Sequence, residues 1–161
     1  MFKCDKDDDI EQFLQEKSLD FEKRDLCRVY LILREEEFDK GHIYIEAYFT
    51  LSIRTLNFAD GLSKTRIQKI SGFRDKKSMP FVLLGQIGKY ISSDYTSNIT
   101  LSEILNYAYE VINSIDKMIP CNCILVECSE VVRELQIYEN CGFTYFQKDG
   151  ELYQYYRLIK R

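Results

Sequence analysis

The heptapeptide IYENCGF, Ile137 to Phe143, raises the first chemical question. It reads as the last turn of a helix that passes through a cysteine into Gly142, with Phe143 opening a strand. Tyr138 stands one turn before that break, on the face that should be buried. A buried phenol carries one O–H donor and an acceptor oxygen, so it needs a partner for its hydroxyl or a use for it. The residues alone leave both readings open: a core tyrosine bonded to a backbone carbonyl, or a group that moves a proton. A second stretch, Thr100-x-x-Glu103, has the spacing of a capping box. The threonine side chain accepts one orphan N–H of a helix start, and the glutamate reaches back to another.

Six cysteines (4, 27, 121, 123, 128 and 141) and one histidine, His42, complete the reactive inventory. Cys121, Cys123, Cys128 and Cys141 lack the C-x2-C knuckle of a structural zinc site, and His42 is far away in sequence. No metal site is expected. Cys121 and Cys123 share one face of a predicted strand with Leu125, which makes them small buried hydrophobes.

The elements that hold these groups belong to a chain of 161 residues, one domain over 1–161. That length buries roughly two-thirds of the unfolded surface. Hydrophobic residues make up 45% and aromatics 14%, a composition that builds a core and excludes disorder. No apolar run approaches the ~20 residues of a membrane span. The opening MFKCDKDDDI is too acidic for a signal peptide, so a cytoplasmic protein without a membrane partner, its thiols reduced, is expected. The formal net charge is −4, and basic residues are dense only over Lys64–Lys77 and Arg157–Arg161. A surface that tracks phosphates needs a stronger bias, so nucleic acid is a disfavoured partner, although tRNA is not excluded.

Periodicity predicts a helix over Asp9–Phe21, strands over 27–33 and 43–56, and a weak polar helix over 61–72. A buried strand with two glycines follows at 80–90, then a turn-rich loop and a strong amphipathic helix from Leu101 to Met118. A strand over 123–128, a short helix over 130–141 with Val131, Leu135 and Tyr138 in line, and a hairpin turning at Asp149-Gly150 complete the chain. The strand–helix–strand unit from 80 to 128 calls for parallel strands, and the flanking hairpins for antiparallel ones. The expected fold class is α/β, an α+β sandwich with a mixed sheet.

In order and spacing these pieces resemble the GNAT superfamily of acyl-CoA-dependent N-acetyltransferases over nearly the whole chain. IYENCGF is similar to the family's (F/L)YExxGF signature, and FVLLGQIGKY (81–90) to its central strand. Phe2-Lys3-Cys4, Ile10–Leu14, Arg28–Leu31 and AYFTLS (47–52) resemble the toxin-type acetyltransferases of toxin–antitoxin pairs. The resemblance implies a mixed central sheet of about six to seven strands flanked by helices. It also implies transfer of acetyl from acetyl-CoA to a primary amine, here on a small molecule or a protein. Tyr138 would be the general acid that protonates the leaving thiolate. For the base that accepts the amine proton, placement on the predicted strands offers Glu46 and Glu127, with water as the alternative. The backbone of Ile87, Gly88 and Lys89 would pair with the pantetheine arm, Gly88 giving it room. A small antitoxin is the implied protein partner, and a homodimer is left open by the residues.

One part departs from the family. Its pyrophosphate loop, (Q/R)-x-x-G-x-(G/A), falls on Thr96, Ser97, Asn98, Ile99, Thr100 and Leu101, and no glycine remains there. The Glu103 charge would repel an anion at the helix start, whereas the hydroxyls and Lys89 would attract one. Acetyl-CoA binding is therefore expected to be weak or altered. The alternative reading is a non-catalytic GNAT-fold binding module, or a toxin-like protein that has lost CoA binding.

Overall fold

Asp7 starts the N-terminal helix: its carboxylate accepts the N–H groups of Asp9 and Ile10 at 3.1 and 3.2 Å. Acidic Asp8, Asp9 and Glu11 in the first turn suit the positive end of the helix. In the computed structural model, which describes residues 1–159, this helix is not uniform. It runs as α1 (Asp8–Gln12), a wider π-helical turn (Phe13–Lys17) and α2 (Ser18–Lys23). Lys160 and Arg161, the end of the basic run at the C-terminus, lie outside the described residues.

The remaining elements are β1 (Arg28–Leu33), α3 (Glu35–Phe38), β2 (Ile45–Asn57), α4 (Lys64–Ser71), β3 (Ser78–Lys89) and α5 (Leu101–Asp116). β4 (Cys123–Cys128), α6 (Glu130–Glu134), α7 (Ile137–Asn140), β5 (Thr144–Asp149) and β6 (Leu152–Leu158) follow. The strands form one mixed six-stranded sheet in the order β1-β2-β3-β4-β6-β5. β3 runs parallel to β4, with Val82 beside Ile124 and Leu83 beside Leu125. β1–β2, β4–β6 and β5–β6 are antiparallel. The expected α+β architecture and strand directions are present. Among the described residues no helix is long and apolar enough to cross a membrane.

Two local expectations need correction. The single helix over 130–141 is two short ones, broken at Gln136, which takes a left-handed conformation with φ +51°. The apolar line that this helix should have buried is lost at the break: Val131 is 71% exposed and Leu135 64%. Cys121, expected on a buried strand face, precedes β4 and is half-exposed, whereas Cys123 and Leu125 are fully buried.

The chain packs as two compact units, Met1–Ser52 with Leu84–Glu110, and Ile53–Leu83 with Val111–Arg161. The second has a core of Leu56, Phe58, Ile70, Met79, Phe81, Cys123, Leu125, Phe146 and Tyr156. Over it α4 is capped at both ends: Ser63 Oγ accepts from Arg66 N, and Gly72 N donates to Gln68 O. The first unit closes around Phe2, Cys4, Phe13 and Tyr48. The Tyr48 hydroxyl, on a fully buried ring, donates to the Ile10 carbonyl at 2.7 Å. That bond satisfies the one polar atom which the apolar cluster would otherwise strand.

Gly88 belongs to this packing. A Cβ there would overlap Ile10 Cγ2 and stand 2.6 Å from Tyr48 Cε1. The room that the glycine leaves is filled by the N-terminal helix and by Tyr48. Gly88→Ala should therefore lower unfolding stability by about 1–3 kcal/mol through overpacking. Urea titration checks it: the loss should shrink when Ile10→Ala is added, because the smaller side chain makes space for the new methyl.

Candidate active site

Tyr138 lies in α7, a single turn that would not hold itself together as an isolated helix. Its surroundings fix it. Tyr138 O accepts from Cys141 N at 3.1 Å and Phe143 N at 3.0 Å, and Glu139 O accepts from Gly142 N at 2.9 Å. Gly142 makes the exit with φ +83°, a conformation that costs most other residues strain. The Tyr138 ring meets Phe143 edge-on, with centroids 5.8 Å apart, and Tyr155 at 6.2 Å. Only the hydroxyl is left over. It makes no hydrogen bond to another of the described residues, and the residue is half-buried. Burial, with smaller contributions from the Cys128 and Cys141 thiols, pushes its pKa up to about 12. The group is therefore a neutral phenol with its proton in place at any physiological pH.

Glu127, at the end of β4, is bound on both oxygens. It accepts a short bond from Arg54 Nη1 on Oε2 and one from Gln154 Nε2 at 2.6 Å on Oε1. Gln154 Oε1 accepts from Gln147 Nε2 at 2.8 Å, and Gln147 also bonds Asn57 O and Ala59 N. This chain ties β2, β4, β5 and β6 together. A carboxylate held by a guanidinium and an amide is better placed to support the sheet than to take up a proton. Arg54, Gln147 and Gln154 carry no motif that singles them out in the sequence. A glutamine inside the aromatic strand LYQYYRL is the one sequence signal there, and the structure buries it fully.

In the first unit Glu46 is equally occupied. Arg34 Nε donates to Oε1, and the Tyr95 hydroxyl lies 3.1 and 3.0 Å from its two oxygens. Arg34 also stacks over the Tyr95 ring at 4.5 Å. Burial raises the Glu46 carboxyl, but bonds from Ser97, Arg34 and Tyr95 outweigh it and leave the pKa below the ordinary value. A depressed pKa weakens a general base. The cluster instead anchors the loop that leads into α5.

That loop contains Thr96, Ser97, Asn98, Ile99, Thr100 and Leu101. Its donors are largely turned inward. Ser97, itself buried, gives its N–H to Tyr90 O at 2.9 Å, and its Oγ accepts Ile99 N at 3.3 Å. The capping box forms as its spacing predicts: Thr100 N and Oγ1 both donate to Glu103 Oε2 at 2.7 Å, and Glu103 N returns to Thr100 Oγ1 at 3.2 Å. Those Thr100 bonds hold the Glu103 carboxyl below its usual range. Lys89 points at the same loop, with Nζ 3.3 Å from Ser97 O and 3.4 Å from Ile99 O. Thr96, Asn98 and Thr100 are exposed, while Ile87, Lys89, Ile99 and Leu101 are half-buried. A hollow of about 310 Å³ opens beside the loop, lined by Glu46, Tyr95, Ser97, Asn98, Ile99 and Glu103 among others.

The net charge of −4 hides a division. The first unit carries 17 acidic and 9 basic side chains, the second 9 acidic and 13 basic. In the second unit Lys64, Arg74, Lys76 and Lys77 line a groove of about 640 Å³ together with Asp60 and Asp75. Lys64 is paired with Asp75, and Lys76 sits 5.5 Å over the ring of Phe73, which is 67% exposed. All six cysteines are free.

No protein-family model matches the sequence, and no curated protein matches it. Solved structures do. The toxin AtaT complexed with acetyl-methionyl-tRNAfMet aligns with a TM-score of 0.73 at 20% identity, over 98% of this chain and 85% of that one. A tyrosine-to-phenylalanine mutant of AtaT, bound to the C-terminus of the antitoxin AtaR and acetyl-CoA, aligns at 0.70 and 16% identity, over 98% and 83%. A tyrosine-to-phenylalanine mutant of KacT aligns at 0.72 and 19%, over 98% and 85%. At these identities the likeness speaks for architecture, and the chain has the mixed α+β fold seen in AtaT and KacT.

Proposed function

We propose that the protein moves an acetyl group from acetyl-CoA to a primary amine, with Tyr138 as the general acid. The observation that carries this is the placement of Tyr138, a half-buried phenol on a turn braced by Gly142, Phe143 and Tyr155, whose hydroxyl no group of the described residues engages. The amine nitrogen attacks the thioester carbonyl, and the C–S bond breaks with its electron pair on sulfur. Tyr138 donates its proton to that sulfur, while the amine loses one to solvent. A phenol at about 12 faces a thiolate at ~8.5, so donation strengthens only as charge builds on sulfur. That mismatch limits the gain to about 10²-fold, the low end for general acid catalysis.

The loop over 96–101 presents a diphosphate with hydroxyls and a lysine, but its bonds are closed on itself and Glu103 adds a negative charge. Acetyl-CoA would have to reopen these bonds, which supports weak binding. Thermal denaturation with and without acetyl-CoA separates an enzyme from a non-catalytic module of the same fold. Ligand at 100 times its dissociation constant adds about 2.7 kcal/mol to stability.

For the acceptor we take the amine of an aminoacyl-tRNA. AtaT has been solved with acetyl-CoA and with acetyl-methionyl-tRNA, which are an acetyl donor and an acetylated charged tRNA. The basic groove of the second unit supports the same reading, against the expectation drawn from total charge. By the same comparison a small antitoxin-like protein is the partner we propose.

Two outcomes check these statements. Tyr138→Phe should lower kcat by about 10²-fold while leaving the Kd for acetyl-CoA within twofold. Because the folded-state pKa is raised, the proton that Tyr138 donates is present below the usual phenol range and lost only as pH rises toward about 12. The kcat profile should therefore show no fall from this group up to about pH 10. Bulk aminoacyl-tRNA should bind in a filter assay, with affinity that falls steeply with salt. Replacing Arg74, Lys76 and Lys77 together by Gln should weaken it and flatten the salt slope by roughly one unit for each phosphate that is no longer neutralised. Absence of binding at low salt returns the acceptor to a protein or small-molecule amine.

A further inference from the structure

Tyr155 of β6 is 1% exposed, and its hydroxyl donates to Glu139 Oε1 at 2.8 Å. Two residues along the same strand, Arg157 Nη1 donates to the carbonyl of Cys141 at 2.9 Å. Residues two apart on a strand share a face, so β6 grips α7 at two points, one on either side of Asn140. The grip is needed. α7 is one turn long, it is entered through the strained backbone of Gln136, and it leaves through left-handed Gly142. Nothing in its own length would keep it in one orientation.

The Tyr155 ring also forms part of the wall behind Tyr138, and Tyr145 packs on it at 5.5 Å. A phenylalanine at position 155 would supply the same wall. What the tyrosine adds is the bond to the carboxylate next to Tyr138, a charge-assisted contact that fixes the rotation of the turn. Rotation of the turn is what would carry the Tyr138 hydroxyl away from a reacting sulfur, and a displacement of about 1 Å can cost up to about 10²-fold in rate.

We infer that Tyr155 and Glu139 are positioning residues for Tyr138, holding its hydroxyl in line through the Tyr155–Glu139 hydrogen bond. The inference rests on the acetyl-transfer reading and specifies how its acid is aimed.

The test is a kinetic cycle with one readout that needs no turnover. Tyr155→Phe and Glu139→Ala should each lower kcat about tenfold, with the acetyl-CoA Kd within twofold of the parent. Glu139→Gln, whose amide oxygen still accepts from the Tyr155 hydroxyl, should recover kcat to within about threefold. In a Tyr138→Phe background, Tyr155→Phe should produce no further loss of kcat, because there is no hydroxyl left to aim. Amide exchange at Cys141 and Phe143, which donate to the Tyr138 carbonyl, should accelerate in Tyr155→Phe and Glu139→Ala. An equal loss of kcat in both backgrounds, or unchanged exchange in the single variants, overturns the inference. A parent protein that binds acetyl-CoA but turns over no amine overturns the acetyl-transfer reading instead, and the exchange measurements then decide the clamp alone.

Discussion

Glu127 is the atom-level hinge of the second unit. One oxygen is taken by Arg54 on β2, the other by Gln154 on β6, and Gln154 passes the chain on through Gln147 to the backbone at Asn57 and Ala59. Gln154 is fully buried, so each of its polar atoms must be answered inside the protein. A hydrogen bond to a charged group contributes about 1.5–3 kcal/mol, and leaving a buried partner unanswered costs a similar amount again. The network therefore acts as one piece. It adds side-chain bonds between β2, β4, β5 and β6 to the backbone ladders that pair β6 with β4 and β5.

The course of β6 decides the state of the candidate active site. Tyr155 and Arg157 on that strand hold the turn that carries Tyr138. The polar network commits its hydrogen bonds to structure, whereas the turn leaves one hydroxyl uncommitted. A phenol held by its ring and its backbone, with a hydroxyl that no other protein group of the described residues engages, is the arrangement expected of a preorganised donor. The same logic separates the three residues first considered for proton transfer. Glu46 and Glu127 each hold a guanidinium, and only Tyr138 is uncommitted.

The first unit shows the opposite arrangement. Arg34, Tyr95 and Glu46 brace the loop, Ser97 and Lys89 close it, and Glu103 satisfies the start of α5. Loops that wait for a phosphate usually keep glycines and free N–H groups for it. This one has internal bonds in their place, which makes it stable without a ligand.

Much of this was legible in the residues. The strand and helix periods, the capping box at Thr100 and Glu103, and the Tyr-Glu-x-x-Gly-Phe ending all depend on local spacing, which a linear string preserves. They were enough for the mixed sheet and for singling out Tyr138 as the acid we propose. The rest depends on which distant side chains meet. The break at Gln136 follows no local propensity, because a left-handed glutamine persists only where tertiary contacts compensate its strain. The room beside Gly88 could be assigned to Ile10 and Tyr48 only once the N-terminal helix was seen against β2 and β3. Total charge, a sum over the chain, could not report that acidic and basic residues separate into different units. The partners of Glu46 and Glu127 are 12, 49, 73 and 27 residues away, beyond the reach of any periodicity. Sequence determined which groups carry the chemistry to be considered; the fold alone decided that Glu46 and Glu127 are each held by a guanidinium.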